Sequence, residues 1–411
     1  MVYSGNNQGA FSLDGGQTFT FMDPNTIFSP RAGGFAGDTA IRYAPSINRF
    51  IWLMQYWCPP PATDCTGPDK NNLYRLAVAS PAAIRTHKSN PGRAWTTYSL
   101  YARSTFGFKS DWFDYPDMQV GRRYLYLTWD TVGTNPQESV NSRIRLSDLG
   151  AARSIRIGWF KVPNIFSRVA QNSGQYGFYL QNGEGNDADA HDTAYVWDDA
   201  SSLIYKFDLP HSRRPDEDYT SNTPLGQNWT GRIDKPVVKG ATRRGQELWL
   251  AWTAAKRLKG AKRDSWSQTH IQIAVYDLNQ LTKDRQGKRA IRLAAEDFIW
   301  NPDFAFANPA LATNSEGDVG ISFSYGGPRI APSAGAGIIT GGHELVANMR
   351  GDPANGAGQG DYTGIEPDWP MSTRFVASGY AVKEAAGNPN GSNHWGFIRF
   401  GREFPRPAPP P

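Results

Sequence analysis

The chain has 411 residues and a net charge of +5, with 42 Gly, 29 Pro, 14 Trp, 18 Tyr and 21 Phe and only 20% charged residues. Aromatic residues suit pleated, half-buried surfaces, and Gly and Pro punctuate many turns, so the composition points to an all-β chain with ample core. It excludes a charge-rich disordered chain. The absence of any run of 18 or more apolar residues excludes a membrane-spanning helix.

The first element is a hairpin. Strands are expected at 9–11 and 19–22, joined by Ser12-Leu13-Asp14-Gly15-Gly16-Gln17-Thr18-Phe19. Asp14 can turn its carboxylate back onto nearby backbone N–H groups, and Ser12 can add a local hydrogen bond. Gly15 and Gly16 can take positive φ at no steric cost, and Phe19 is expected to plug the turn from below. No signal peptide precedes Val2-Tyr3-Ser4-Gly5, and a removed N-terminal segment is the expectation.

Strand-like runs then recur in groups of about four, with turn signals between them and almost no helical periodicity. The groups begin near residues 40, 118, 168, 235, 309 and 362. Such groups are the unit of a β-propeller, because one four-stranded sheet cannot bury both faces alone. The count favours seven blades over six, closed by pairing of N- and C-terminal strands. A single domain is expected over residues 1–403, with a Pro-rich disordered tail over 404–411.

The segments leading into the first strands carry the candidate chemistry. They are Gly37-Asp38-Thr39 with Arg42, Asp111-Trp112-Phe113-Asp114-Tyr115-Pro116-Asp117, Arg232-Ile233-Asp234-Lys235 and Gly360-Asp361-Tyr362. Asp38, Asp114, Asp234 and Asp361, with Tyr115 and Tyr362, can supply acid and base groups for glycosidic cleavage. Arg42 and Lys235 can hold an acidic sugar, and Trp112 and Trp229 can stack on sugar rings. The same polar side chains can instead hydrogen-bond loops and channel waters. A polysaccharide lyase would draw on Tyr115, Tyr362, His191, Arg42 and Lys235, and a non-catalytic scaffold would need none of them.

Other signals leave alternatives open. Cys58 and Cys65 bracket a proline-rich loop and can form a disulfide or remain thiols. Asp187, Asp189 and His191 share one face of an extended segment and can bind Ca²⁺ or a transition metal, or form a solvated acidic loop. The run from Lys256 to Arg263 is basic but has no interleaved aromatic residue, so it reads as a solvated loop and not as a nucleic-acid site. Asn228-Trp229-Thr230 and Asn390-Gly391-Ser392 match the glycosylation sequon.

The pattern Ser12-x-Asp14-x-Gly16-x-Thr18-Phe19 resembles the Asp-box (BNR repeat) of sialidase-like β-propellers. The segment 44–56 resembles a strand pair of such propellers with a polar turn, and 317–327 and 360–364 resemble segments of uncharacterised bacterial proteins of that superfamily. The resemblance implies a propeller with the box on a blade's outer rim. It further implies a secreted or periplasmic carbohydrate-active protein, binding or cleaving a glycan at the channel mouth. The Phe/Tyr-Arg-Ile-Pro motif of authentic sialidases is absent, the nearest string being Phe28-Ser29-Pro30-Arg31. Neither a bound cofactor nor an oligomeric state follows from the resemblance.

Overall fold

Strands dominate the structure, a computed structural model that describes residues 1–5, 8–28, 34–57, 72–108, 112–133, 137–163, 166–182, 191–212, 218–231, 237–256, 266–283, 287–352, 363–385 and 388–402. The chain resolves into two compact units. Unit 1 holds residues 1–169, 173–181 and 197–203, and unit 2 holds 170–172, 182–196 and 204–411. Among the described residues no helix is long and apolar enough to cross a membrane.

In unit 1, β1 (Val2–Gly5), β2 (Gln8–Phe11) and β3 (Thr20–Met22) form a three-stranded sheet. Two four-stranded antiparallel sheets follow. The first is β4 (Phe35–Ala44), β5 (Arg49–Trp57), β6 (Asn72–Ala79) and β7 (Thr96–Tyr101). The second is β8 (Trp112–Val120), β9 (Tyr124–Val132), β10 (Glu138–Arg145) and β11 (Ile157–Pro163). The short β12 (Arg168–Val169) pairs with β13 (Tyr176–Gln181).

Unit 2 contains most of β14 (His191–Asp198), with β15 (Ile204–Pro210), β16 (Val238–Arg244), β17 (Glu247–Ala254), β18 (His270–Lys283) and β19 (Arg289–Ile299). These lie in the order β14-β15-β19-β18-β17-β16, with β15 and β19 joined in parallel at Asp208 and Ala290. A four-stranded sheet of β20 (Ala305–Thr313), β21 (Val319–Gly327), β22 (Ile330–Ile338) and β23 (Glu344–Met349) follows. The last sheet holds β24 (Gly364–Pro367), β25 (Phe375–Ala385) and β26 (Asn388–Phe400). Successive four-stranded antiparallel sheets are blade units of a propeller. The expected closure by paired terminal strands is not among the described ladders, where β1–β3 and β24–β26 form separate sheets.

Inner strands are covered on both faces. Every residue of β6 and of β21 is buried. Trp52 on β5, Trp129 on β9 and Trp252 on β17 have no exposed surface. Gly9 on β2 lies so close to Trp52 that a Cβ there would sit 2.6 Å from the ring. The few helices are single turns set by local caps, as at Pro81–Thr86, where Ser80 accepts the Ala83 N–H and Pro81 opens the helix.

First strands share a β-bulge. The register shifts by one residue on each side of Gly37 on β4, between Asp114 and Asp117 on β8, between Val238 and Gly240 on β16, and between Ala307 and Ala310 on β20. A bulge removes backbone groups from the ladder, and buried backbone groups need other partners. A polar side chain from the preceding part of the chain bonds the backbone at β8, β16 and β20, and likewise ahead of β12, which has no register shift. Gln55 and Asn72 bond the Phe113 carbonyl at 2.7 and 2.5 Å, and Asn72 also accepts the Phe113 N–H at 2.8 Å. Asp130 accepts the N–H of Phe166, just before β12, at 2.9 Å. Asn182 accepts that of Val238 at 2.9 Å, and Thr253 that of Asn308 at 3.1 Å. Phe166 and Asn308 are both in left-handed conformation, with φ of 68° and 51°.

Thr253→Val keeps the side chain's shape but leaves the buried Asn308 N–H without this acceptor. The substitution should cost about 1–3 kcal/mol, read as a lower urea midpoint at unchanged slope.

Candidate active site

The bulge on β8 gathers the first candidate group. Trp112 opens the strand opposite Val132, and Asp114 lies directly opposite Asp130 of β9. Tyr115 is the inserted residue, with φ of 55° ahead of Pro116, and Asp117 regains register opposite Thr128. Sequence reading set Asp114 and Tyr115 in a loop before the first strand. They lie inside it, because the bulge lets a strand carry Tyr-Pro without losing its ladder on either side. Asp38 is likewise inside β4, at the register shift between Gly37 and Thr39.

Asp114 and Asp130 form a cross-strand carboxyl pair. Directly opposed residues bring their Cβ atoms within about 5 Å, where like charges repel. Asp114 Oδ1 accepts the Tyr115 N–H at 3.0 Å and the Gln55 Nε2–H at 3.2 Å, bonding suited to a carboxylate. Asp130 is 3% exposed. Its Oδ1 accepts the Ser139 hydroxyl at 2.7 Å as well as the Phe166 N–H, so both bonds fall on one oxygen. Burial is the main force lifting the Asp130 carboxyl to about 6, and the Asp114 charge adds to it. Arg168, Ser139 and Phe166 pull the other way without cancelling it.

Around this pair stand three further groups. The buried Tyr74 hydroxyl of β6 is held well above its ordinary value by desolvation and then by the fields of Asp114, Asp38 and Asp130. The Arg168 guanidinium lies 4.3 Å from the Tyr115 ring centre and donates to the Ser167 carbonyl at 2.9 Å. Tyr115 also meets Phe166 edge-on at 5.6 Å. The structure thus brings Asp38, Asp114 and Tyr115 into one neighbourhood with Tyr74, Asp130 and Arg168.

Arg42 belongs to a second cluster that ties first strands together. Its Nε donates to Gln119 Oε1 at 3.0 Å, and its Nη2 lies 3.9 Å from Asp117. Asp117 in turn accepts the Met118 and Val169 N–H groups at 2.8 and 2.9 Å. Arg42 is therefore committed to protein partners, and a role as a free substrate clamp does not describe it. Unit 2 makes the corresponding links without charge. Thr242 and Thr313 share a 2.8 Å hydroxyl contact, Gln171 donates to the Ile365 carbonyl at 2.9 Å, and Thr363 donates to that of Asn308 at 2.7 Å. The ionisable inner face described here is that of unit 1.

Two expectations are overturned. Trp229 is 2% exposed and packs with Ala305 and Ala307, so it has no ring face for a sugar. Phe19 is 42% exposed and does not plug the hairpin. The turn closes through hydrogen bonds instead. Asp14 accepts the Gln17 and Thr18 N–H groups at 3.0 Å each and the Thr18 hydroxyl at 2.5 Å, while Gly16 N donates to Ser12 Oγ at 2.7 Å. The Thr18 hydroxyl and N–H bonds, with that from Ser12, hold the Asp14 carboxyl well below the usual carboxylate range. Gly15 and Gly16 have φ of 78° and 99°, as the turn requires.

Asp234, Lys235, Asp361, Tyr362, Asp187, Asp189, Cys58 and Cys65 lie outside the described residues, as does the side chain of His191. Among the described residues no group of three or more His, Cys, Asp or Glu side chains is placed to hold a metal ion. Sequence reading missed Asp130 and Arg168. The one available signal for Asp130 was a carboxylate closing the apolar run Tyr124-Leu125-Tyr126-Leu127-Thr128-Trp129.

No protein-family model matches the chain, and no curated protein matches it. Solved structures do. The sialidase of Trypanosoma rangeli, in complex with 2,3-difluorosialic acid, is 9% identical, with 92% of this chain and 55% of that chain covered and a TM-score of 0.42. The hemagglutinin-neuraminidase of Parainfluenza Virus 5 is 9% identical, with coverages of 66% and 74% and a TM-score of 0.37. A mutant of Synechocystis ACO is also 9% identical, with coverages of 75% and 64% and a TM-score of 0.37. The chain thus spans less than two thirds of the Synechocystis and Trypanosoma proteins. The functional reading rests on the residues of the site itself.

A carboxyl raised above its ordinary value holds its proton more tightly in the folded chain than in the unfolded one. The Asp130 contribution to stability therefore falls as pH rises from 3.8 to about 6, and is level above that. Asp130→Asn should remove a loss of up to about 3 kcal/mol across this window. Urea unfolding of both proteins from pH 4 to pH 7 reads the difference in slope.

Proposed function

We propose that the chain is a carbohydrate-active propeller of glycoside hydrolase type, with Asp130 as the acid and Asp114 as the nucleophile. The observation that carries this reading is the direct opposition of the two carboxyl groups, one of them buried and raised to about 6. Pairs of carboxyl groups whose environments push them apart divide acid and base work between them. We assign the retaining reaction, in which the second carboxylate attacks the sugar directly, because directly opposed strand residues stand close together.

In this scheme an Asp114 oxygen bonds to the anomeric carbon as the glycosidic C–O bond breaks. Asp130 gives its proton to the departing oxygen. Water then attacks the anomeric carbon, Asp130 takes a proton from it, and the bond to Asp114 breaks. The Asp130 Oδ2 atom is free of the Phe166 and Ser139 bonds and is the oxygen assigned the proton. Arg168, beside Tyr115, balances charge at the pair. We read the 26 described strands, taken in fours with a run of three at each end, as seven blades, in keeping with the resemblance of the Ser12–Phe19 turn to an Asp-box.

Turnover of a panel of aryl glycosides and neutral or acidic oligosaccharides tests the proposal. Asp114→Asn and Asp130→Asn should each lower kcat by roughly 10²- to 10⁴-fold, and the wild-type alkaline limb should lie near pH 6. Wild-type turnover in both variants, or no turnover of any glycan by the wild type, would overturn it. The second reading, a non-catalytic scaffold, draws on Leu13, Phe19 and Phe21, exposed by 47, 42 and 57% around one hairpin.

A further inference from the structure

Unit 2 carries an aromatic cluster that the proposed reaction does not use. His270 begins β18, and across the ladder from Gln272 stands Phe298 of β19. Both rings lie on the face opposite the core residues Ile271, Ile273 and Ile299, because side chains alternate along a strand. Trp266 lies over the two of them. Its ring centre is 4.8 Å from His270 at an interplanar angle of 28°, and 5.2 Å from Phe298 at 33°. Trp300 meets Trp266 edge-on at 5.0 Å. Near-parallel contact with two supporting rings uses one face of the Trp266 indole. Trp266 nevertheless stays part-exposed, and Trp300 is 38% exposed.

The support beneath is polar and neutral. His270 is 3% exposed, and its Nδ1 atom is buried with no hydrogen-bond partner among the described residues. Desolvation lowers its pKa to about 4, so the ring under Trp266 is uncharged at neutral pH. Beside the rings, Glu296 accepts from Gln272 Nε2 at 3.1 Å, from the Ser212 N–H at 3.0 Å and from the Ser212 hydroxyl. On the opposite face, Asp297 pairs with His343 at 2.9 Å.

The geometry points to a binding platform for a neutral oligosaccharide, with a pyranose ring lying on Trp266 and Trp300 and its hydroxyls meeting Glu296 and Ser212. A flat indole face backed by stacked rings presents a rigid apolar plane, and a few convergent polar groups beside it fix orientation. Among the described residues the rings are bordered by the polar Glu296 and Ser267. The Glu296 carboxylate at the rim favours uncharged sugars over sulfated or uronic ones. This platform does not depend on the chemistry proposed for Asp114 and Asp130.

Titration of the full chain with cellohexaose, xylohexaose, maltohexaose and a heparin hexasaccharide tests it, followed by tryptophan fluorescence and calorimetry. At least one neutral hexasaccharide should bind saturably. Trp300→Ala and Trp266→Phe should each weaken that binding by roughly tenfold, equivalent to about 1.4 kcal/mol, with unchanged circular dichroism and urea midpoint. Binding should survive in Asp130→Asn. Binding of the heparin hexasaccharide alone, of no neutral sugar, or with equal strength in folded tryptophan variants would overturn the platform. So would loss of binding in Asp130→Asn with retention in Trp300→Ala, a result that leaves the carboxyl-pair reading standing.

Discussion

A buried side chain that completes the backbone bonding of the next first strand is the interaction on which this β architecture depends. Bulges twist and bend the first strands, which lets flat four-stranded sheets stack, but each bulge strands an N–H or a carbonyl in an apolar interior. Gln55, Asn72, Asn182 and Thr253 answer that need at bulged strands, and Asp130 bonds the backbone in the same way at Phe166, ahead of β12. Their chemistry differs while their task is shared. Hydrophobic packing of Trp52, Trp129 and Trp252 supplies the larger favourable energy, and the backbone bonds add direction to it. The latches fix which residue of one strand meets which residue of the next.

The candidate site is one of these latches with a different side chain. An amide or hydroxyl closes the backbone at Phe113, Val238 and Asn308, and carboxyls do so at Phe166 and Val169, through Asp130 and Asp117. A neutral group would serve the fold equally well, and a carboxyl opposite Asp114 costs stability when ionised. The Tyr115-Pro116 bulge has a counterpart in Asn308-Pro309, with the same one-residue register shift and the same left-handed residue before proline. Where the unit 1 bulge is flanked by Asp114 and Asp117, its counterpart is flanked by Ala307 and Ala310. The same backbone device therefore occurs once with acid groups and once without them, and the difference lies in side chains alone.

What could be read from sequence followed the range of the interaction. The hairpin around Asp14 was legible residue by residue, because its donors and acceptors lie within four positions of one another. The all-β class and the rough spacing of strands were legible from alternation and turn residues. Phe19 was misread because its exposure depends on what covers the first sheet, and Trp229 because the Ala305 and Ala307 that bury it lie far along the chain. Asp114 and Asp38 were found through their proximity to first strands. Asp130 was not, since only the β8–β9 register reveals which carboxyl group it faces. Arg168 gave no local sign, because its partner ring belongs to a residue more than fifty positions earlier.

The short outer strand of the first sheet has a consequence for how the protein behaves in concentrated solution. β3 is an edge among the described ladders, and Phe19 and Phe21 beside and within it are exposed. An apolar edge is a template for pairing with a second chain. Here the edge is only three residues long, Thr20–Met22, and it follows directly on the bonded turn of Asp14. Three residues offer an incoming strand too few backbone bonds to hold it. Brevity, more than charge, keeps this greasy corner from seeding aggregates.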